Sequence, residues 1–176
     1  MTLFTVGHST RRIEDFLRIL MAHKVELLVD VRTVPRSRTN PQFNRDSLPA
    51  SLLASGVGYE HSPGLGGLRK PKPDSMNTGW RNDSFRGYAD YMQTPEFWSA
   101  LASLLRAAEA RRTCVMCAEA VPWRCHRSMI ADAVLASGHQ SVHIMSETKA
   151  DPHKLTSFAV IDSGLITYPG AQGRLL

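Results

Sequence analysis

Apolar positions along this chain change their spacing several times, and each change marks an element. Leu3-Phe-Thr-Val6 is a short apolar run closed by Gly7, the pattern of a buried strand. Ile13, Phe16, Leu17 and Leu20 then recur at helical spacing and predict an amphipathic helix over residues 12–23. Thr10 is its expected N-cap, with Glu14 and Asp15 in the first turns. Residues 25–31 are apolar except for Glu26 and Asp30, which predicts a strand covered on both faces. Strand, helix and strand within about thirty residues make a βαβ unit.

Pro35 and Pro41 bar regular structure from the segment that follows, before a short helix expected over 46–54 and a strand at Tyr59 to His61. Residues 62–83, with Gly64, Gly66, Gly67, Pro71, Pro73 and Gly79, are expected to be long and irregular, and a loop of that length in a compact domain is functional or mobile. A helix is expected over 85–92. Another follows with Pro95 in its first turn and Phe97, Trp98, Leu101, Leu104 and Leu105 on one face, reaching Ala110. Residues 113–116 predict a strand and 125–137 a helix ending at Gly138, a residue suited to the C′ position. A further strand covers 142–144, and two apolar runs flank Asp162-Ser-Gly164 as a hairpin. This alternation predicts a three-layer α/β/α sandwich with a mainly parallel, Rossmann-like sheet plus a C-terminal hairpin. No compositional break or internal repeat divides the chain, so residues 1–176 are expected to form a single α/β domain.

Composition narrows the function classes. Hydrophobic residues make up 43% of the 176 residues, enough for a core and too many for a disordered chain. No apolar run approaches the roughly 18 residues that span a bilayer, and the N-terminus lacks a basic segment followed by an apolar one. A cytoplasmic protein with no membrane partner is therefore expected. Three cysteines, an odd number with Cys114 close to Cys117, fit reduced thiols better than a disulfide framework. The net charge is +5, and 16 of the 21 basic residues are Arg. Residues 31–45 hold four Arg and no acid, which favours an anionic partner, either a small molecule or a nucleic acid.

In a parallel sheet the ligand lies beyond the carboxyl ends of the strands. The first strand is followed by His8 and Ser9, and the second ends on Asp30 and Arg32. After the strand carrying Cys114, read as core, come Cys117 and Glu119, then Cys125, His126 and Arg127 where a helix should begin. The last parallel strand carries His143 and leads to Ser146 and Glu147. Arg32, Arg38 and Arg127, with Ser9 and His126, are candidates to bind an anion. Asp30 or Glu119 could act as general acid or base, with His8 at the rim. Cys125 could be a nucleophile, because a helix N-terminus lowers a thiol pKa. The positive pair His126 and Arg127 opposes the helix dipole and suggests a nearby anion, a ligand phosphate or Glu119. Cys117, Cys125 and His126 could supply three metal ligands with His8 or His143 as a fourth. No second Cys-x-x-Cys pair supports this, so no metal is assigned, and the pattern names no cofactor. Six residues after Cys117 stands Trp123 and six after Cys125 stands Ala131, so the Cys-x5-Arg loop of cysteine phosphatases is missing. Neither a Gly-x-Gly-x-x-Gly turn nor a Gly-Lys-Ser/Thr phosphate loop occurs.

Several segments together resemble a family, the domain-of-unknown-function family 488. They are Val6-Gly-His-Ser9, Val29-Asp-Val-Arg32, Pro35 with Ser37-Arg38, Phe43-Asn44, Tyr59, Leu65-Gly-Gly67, the Phe85-x-Gly-Tyr-Ala89 run, Cys117-Ala-Glu119 and Cys125-His-Arg127. They occur in order over almost the whole chain. The resemblance implies an α/β domain in a bacterial-type cytosolic protein and ties the strand-end residues into one pattern, but it implies no reaction. Three functions stay open. One is an enzyme acting on a phosphorylated, nucleotide-like or nucleic-acid substrate through the Arg-rich cleft. Another is a non-catalytic nucleic-acid-binding module using Arg38 and Arg45, with Phe43, Tyr59 and Trp80 as exposed stacking platforms. The third is a thiol redox or metal-binding protein built on Cys117, Cys125 and His126.

Overall fold

The computed structural model describes residues 1–171. Its elements, in chain order, are β1 (Thr2–Gly7), α1 (Ile13–Ala22), β2 (Leu27–Asp30), α2 (Leu48–Ala54), β3 (Gly58–His61), α3 (Asp83–Tyr91), α4 (Pro95–Ala110), β4 (Thr113–Cys117), α5 (Arg127–Ala136), β5 (Gln140–Ile144), β6 (Ala150–Pro152), β7 (Val160–Asp162) and β8 (Leu165–Thr167). Six strands form one sheet in the order β3-β2-β4-β1-β5-β6. Its first five are parallel and β6 runs antiparallel to β5. β7 and β8 pair as a separate antiparallel hairpin.

The apolar alternation of the strands explains the layers. On β4, Cys114 and Met116 face one side and Val115 and Cys117 the other. The first side is covered by α1 and α2 through Phe16, Ile19, Leu20, Leu48 and Leu52. The second is covered by α3, α4 and α5 through Tyr88, Phe97, Leu101, Met129 and Ile130, with Ile166 and Tyr168 added from the hairpin. Burying each large apolar side chain contributes roughly 1.5–3 kcal/mol, so both faces stabilise the sheet. Cys114 is sealed in the first core, where burial pushes its thiol pKa up. The expected α/β architecture, mainly parallel with a C-terminal hairpin, is the one observed.

The differences lie at element ends and in polar segments. Thr10 does not cap α1. Ser9 takes a left-handed backbone (φ 51°), the chain turns there, and Arg12 occupies the N-cap position without a side-chain cap. α5 begins at Arg127, not at Cys125, because residues 122–124 form a 3₁₀ turn and Cys125 is extended. β6 was not expected, since Ala150-Asp-Pro152 has no apolar alternation to mark it. The long segment after β3 is irregular beyond a 3₁₀ turn at 63–65 but is well tied down. The buried Asp90 carboxylate on α3 accepts hydrogen bonds from the Lys72 amide, the Ser75 hydroxyl and the Asn77 side chain. Tyr88 and Tyr91 donate to the carbonyls of Leu65 and Gly64. Among the described residues, no helix is long and apolar enough to cross a membrane.

Candidate functional site

The carboxyl ends of β1, β2 and β4, adjacent in the sheet, open onto one cavity of about 570 Å³. The ladder continues past the strand ends and fixes their spacing. The amides of His8 and Ser9 donate to the carbonyls of Cys117 and Ala118, and that of Val31 to Met116. His8, Ser9, Arg32, Cys117, Glu119 and His126 all line the cavity, and Gly67 closes it from the long loop. Five of the nine residues expected to form a site therefore line one cavity: His8, Ser9, Arg32, Glu119 and His126.

Arg32 is held rather than free. Its guanidinium binds Asp30 in a fork, Nε to Oδ1 at 2.9 Å and Nη2 to Oδ2 at 2.6 Å, and Nη2 also donates to the Phe43 carbonyl. Asp30 is 0% exposed and Arg32 7%. The carboxylate also accepts from the Arg32 amide and the Tyr59 hydroxyl. With its oxygens filled and no surface on the cavity, Asp30 orients Arg32, contrary to its expected role as general acid or base. Burial and the neighbouring Asp30 push the Tyr59 pKa up.

His8 has a definite tautomer. Its Nε2 lies 3.2 Å from an Arg32 nitrogen that can only donate, so the lone pair is on Nε2. Nδ1 then carries the proton and donates to the Ser9 carbonyl at 2.7 Å. The ring stacks on buried Phe43 at 4.2 Å. Burial, helped by Arg32, lowers the His8 pKa. His8 is thus a neutral wall residue that accepts from Arg32.

On the opposite wall, His126 Nε2 lies 3.1 Å from the Val31 carbonyl, an acceptor, so Nε2 carries the proton. Its bare Nδ1 faces two sulfurs, Cys125 Sγ at 3.7 Å and Cys117 Sγ at 4.0 Å. The three atoms lie within 4.8 Å of one another. The Cys117 pKa lies well below the ordinary thiol value, chiefly because the Cys125 thiol donates to its sulfur, against the opposing effect of burial. The Cys125 pKa lies well above it, since Cys125 is the donor to Cys117 and is buried. The expectation that a helix start would activate Cys125 is therefore reversed: α5 begins too late, and Cys117 is the acidic thiol.

The two remaining Arg residues stand elsewhere. Arg127 is 1% exposed and donates through both terminal nitrogens to the carbonyls of Glu119 and Ala120. It fastens the loop after β4 from below and does not reach the cavity. Arg38 is exposed and outside the cavity wall, whereas Arg36, not singled out from the sequence, lines it. The Glu119 carboxylate is exposed at the rim, and its expected contact with Arg127 is made by its main chain instead. Phe43, expected as an exposed stacking platform, instead supports His8, and Tyr88, expected only within a helix, packs on the His126 ring at 5.0 Å, because an apolar side chain carries no signal of which imidazole it will touch.

Two other expectations change. His143 is remote from this cavity and belongs to a buried chain in which Thr5 meets Nδ1 at 2.6 Å, His153 meets Nε2 at 2.8 Å, and His153 meets Asp132 at 2.7 Å. The three aromatic platforms expected for nucleic acid are turned inward. Phe43 lies under His8, Tyr59 binds Asp30, and Trp80 packs between Phe85 and Phe158.

A comparison with known families finds a match to the domain of unknown function DUF488 over residues 12–134. No curated protein and no solved structure matches the chain.

Proposed function

The chain belongs to the DUF488 family, described by its domain rather than by a reaction, and from the geometry of its cavity we propose that it is an enzyme acting on a small anionic substrate. The carrying observation is that Cys117 and His126 meet on the wall of a cavity whose other wall presents the oriented Arg32 and Ser9. Arg32 supplies the one donor hydrogen its partners leave free, in a fixed direction, since Asp30, Phe43 and His8 hold the rest of its fork. Ser9, kept in a left-handed turn, offers a hydroxyl beside it. Exposed Arg36 adds positive charge and Glu119 a carboxylate within reach of a bound molecule. A cavity of this size takes a small molecule. The reacting centre is the sulfur and imidazole edge.

Alkylation tests this reading directly. With chelator present to keep the thiols free, iodoacetate should modify Cys117 faster than neutral iodoacetamide, relative to a small-thiol reference, by about fivefold, the ratio for roughly 1 kcal/mol of charge attraction. Inorganic phosphate should suppress the preference more than chloride at equal ionic strength. Equal relative rates for the two reagents, unaffected by phosphate, would exclude an anion site at that sulfur.

A further inference from the structure

Cys117, Cys125 and His126 have the geometry of a vacant coordination shell. In a tetrahedral zinc site with two thiolates and one imidazole, usual bond lengths put the sulfurs about 3.8 Å apart and each sulfur about 3.6 Å from the nitrogen. Here Nδ1 stands 3.7 and 4.0 Å from the two sulfurs, and all three atoms fit within 4.8 Å. A single ion would close the nitrogen–sulfur distances with shifts of a few tenths of an ångström, and the sulfur–sulfur distance with a shift of at most about 1 Å.

The surroundings are arranged for ligation in three further ways. His126 donates its other ring N–H to the Val31 carbonyl, the contact that holds metal-bound imidazoles in orientation. The backbone N–H groups two places on, of Glu119 and of Arg127, favour the thiolate forms of Cys117 and Cys125 respectively, which suits ligation. Gly67 leaves space beside the ligating nitrogen. A Cβ there would stand 3.1 Å from His126 Nδ1. The Thr5, His143, His153 and Asp132 chain differs, because its ring nitrogens are consumed by partners within the chain.

We propose that Cys117, Cys125 and His126 bind one divalent transition-metal ion of the zinc type, with its fourth position open to the cavity. Two thiolates and an imidazole favour such an ion over magnesium or calcium. Binding displaces to solvent the Cys125 thiol proton, and that of Cys117 where it is still held, while His126 Nδ1 already carries its lone pair. Neither His8 nor His143 supplies the fourth ligand, since His8 Nε2 accepts from Arg32 and His143 lies in the other buried chain. Cys117 and His126 face the cavity, so water or a substrate atom takes the remaining position. The ion would sit where the proposed reaction occurs, but its binding needs no anion.

The test uses the full chain, stripped with chelator, reduced and dialysed into phosphate-free buffer. Cobalt(II) added alone should bind once per chain with thiolate-to-metal charge transfer and the intense visible absorption of a four-coordinate ion, and zinc should displace it. Cys117→Ser, Cys125→Ser and His126→Gln should each weaken binding by at least a hundredfold or so, more than loss of an outer contact does, while Cys114→Ser keeps it. Azide should shift the cobalt spectrum through the open position. Should a variant fail to fold by circular dichroism, the wild type decides: zinc should protect Cys117 and Cys125, but not Cys114, from alkylation in peptide mass spectra. The proposal is overturned if the folded wild type gives no charge-transfer band, if the band survives loss of both sulfurs, or if zinc protects neither cysteine. A band indifferent to azide removes the open position. Because no anion is present, these outcomes leave the anionic-substrate reading to its own experiment.

Discussion

At the scale of single residues, the cavity depends on groups that never touch its contents. Gly7 is one. A Cβ there would lie 1.8 Å from the Glu119 carbonyl oxygen and 2.7 Å from an Arg127 nitrogen, so the chain must move. Gly7→Ala should destabilise the protein by about 3 kcal/mol, near the upper end for overpacking, and disturb the loop carrying Cys117. Urea denaturation measures the loss, and an unchanged midpoint would show that the approach is slack. Asp30 is another. Asp30→Ala strands a buried guanidinium and should cost about 3–5 kcal/mol, the range for breaking a buried ion pair from one side. Calorimetric melting tests that figure, and a loss under about 1 kcal/mol would mean that Arg32 finds another partner or water. Replacing Arg38, exposed and outside the cavity, should change neither stability nor anion preference.

At the scale of elements, short connections set side-chain direction. The 3₁₀ turn at 122–124 delays α5 by two residues and leaves Cys125 extended, with its sulfur and that of Cys117 at the same His126 nitrogen. α3 is started by Asn82, whose side chain accepts from the amides of Ser84 and Phe85. Asn82→Ala should cost about 1 kcal/mol, the usual worth of an N-cap, measurable as a lower midpoint with an unchanged m-value. α3 also carries Tyr88, Asp90 and Tyr91, which anchor the long loop containing Gly67. The variant should therefore raise hydrogen exchange across residues 64–77 before it affects β1. The hairpin turn places Ser163 and Gly164 at positive φ, as a two-residue connection of this hand requires.

At the scale of the whole molecule, the buried histidines set an acid limit. Burial pushes the His143 pKa down from 6.5 to about 3, aided by His153 and Arg127 and opposed by Asp132. The contacts agree: the His143 ring lies between Thr5 and His153, and the Asp132 carboxylate meets His153 rather than His143. An unfolded His143 takes up a proton below pH 6.5, whereas the folded one stays neutral to about 3. Its contribution is complete above 6.5 and is lost as pH falls between those values, by about 1.4 kcal/mol per unit. His8, also lowered, adds in the same direction. Stability should fall by about 2 kcal/mol for His143 alone between pH 6.5 and about 5, and the slope should shrink by about one proton in His143→Gln. A slope shared by both proteins would place the acid limit elsewhere.

Much of this was legible in the sequence. Periodicity depends only on near neighbours, so the strands and helices, the parallel α/β class, the hairpin at Asp162-Ser-Gly164 and the burial of Cys114 followed from it. The rule that ligands lie beyond strand ends also selected His8, Ser9, Arg32, Glu119 and His126. Only tertiary structure could decide what each group does, because burial and hydrogen-bond partners are set by segments far apart in the chain. His126 gains its tautomer from the Val31 carbonyl, 95 residues away, and His8 from Arg32, 24 residues away. Asp30 and Arg127 read as site residues from their position and are held inward by partners that the sequence does not place beside them. Cys117 and Cys125, eight positions apart, became one centre because a strand end and a 3₁₀ turn bring both sulfurs to a single nitrogen.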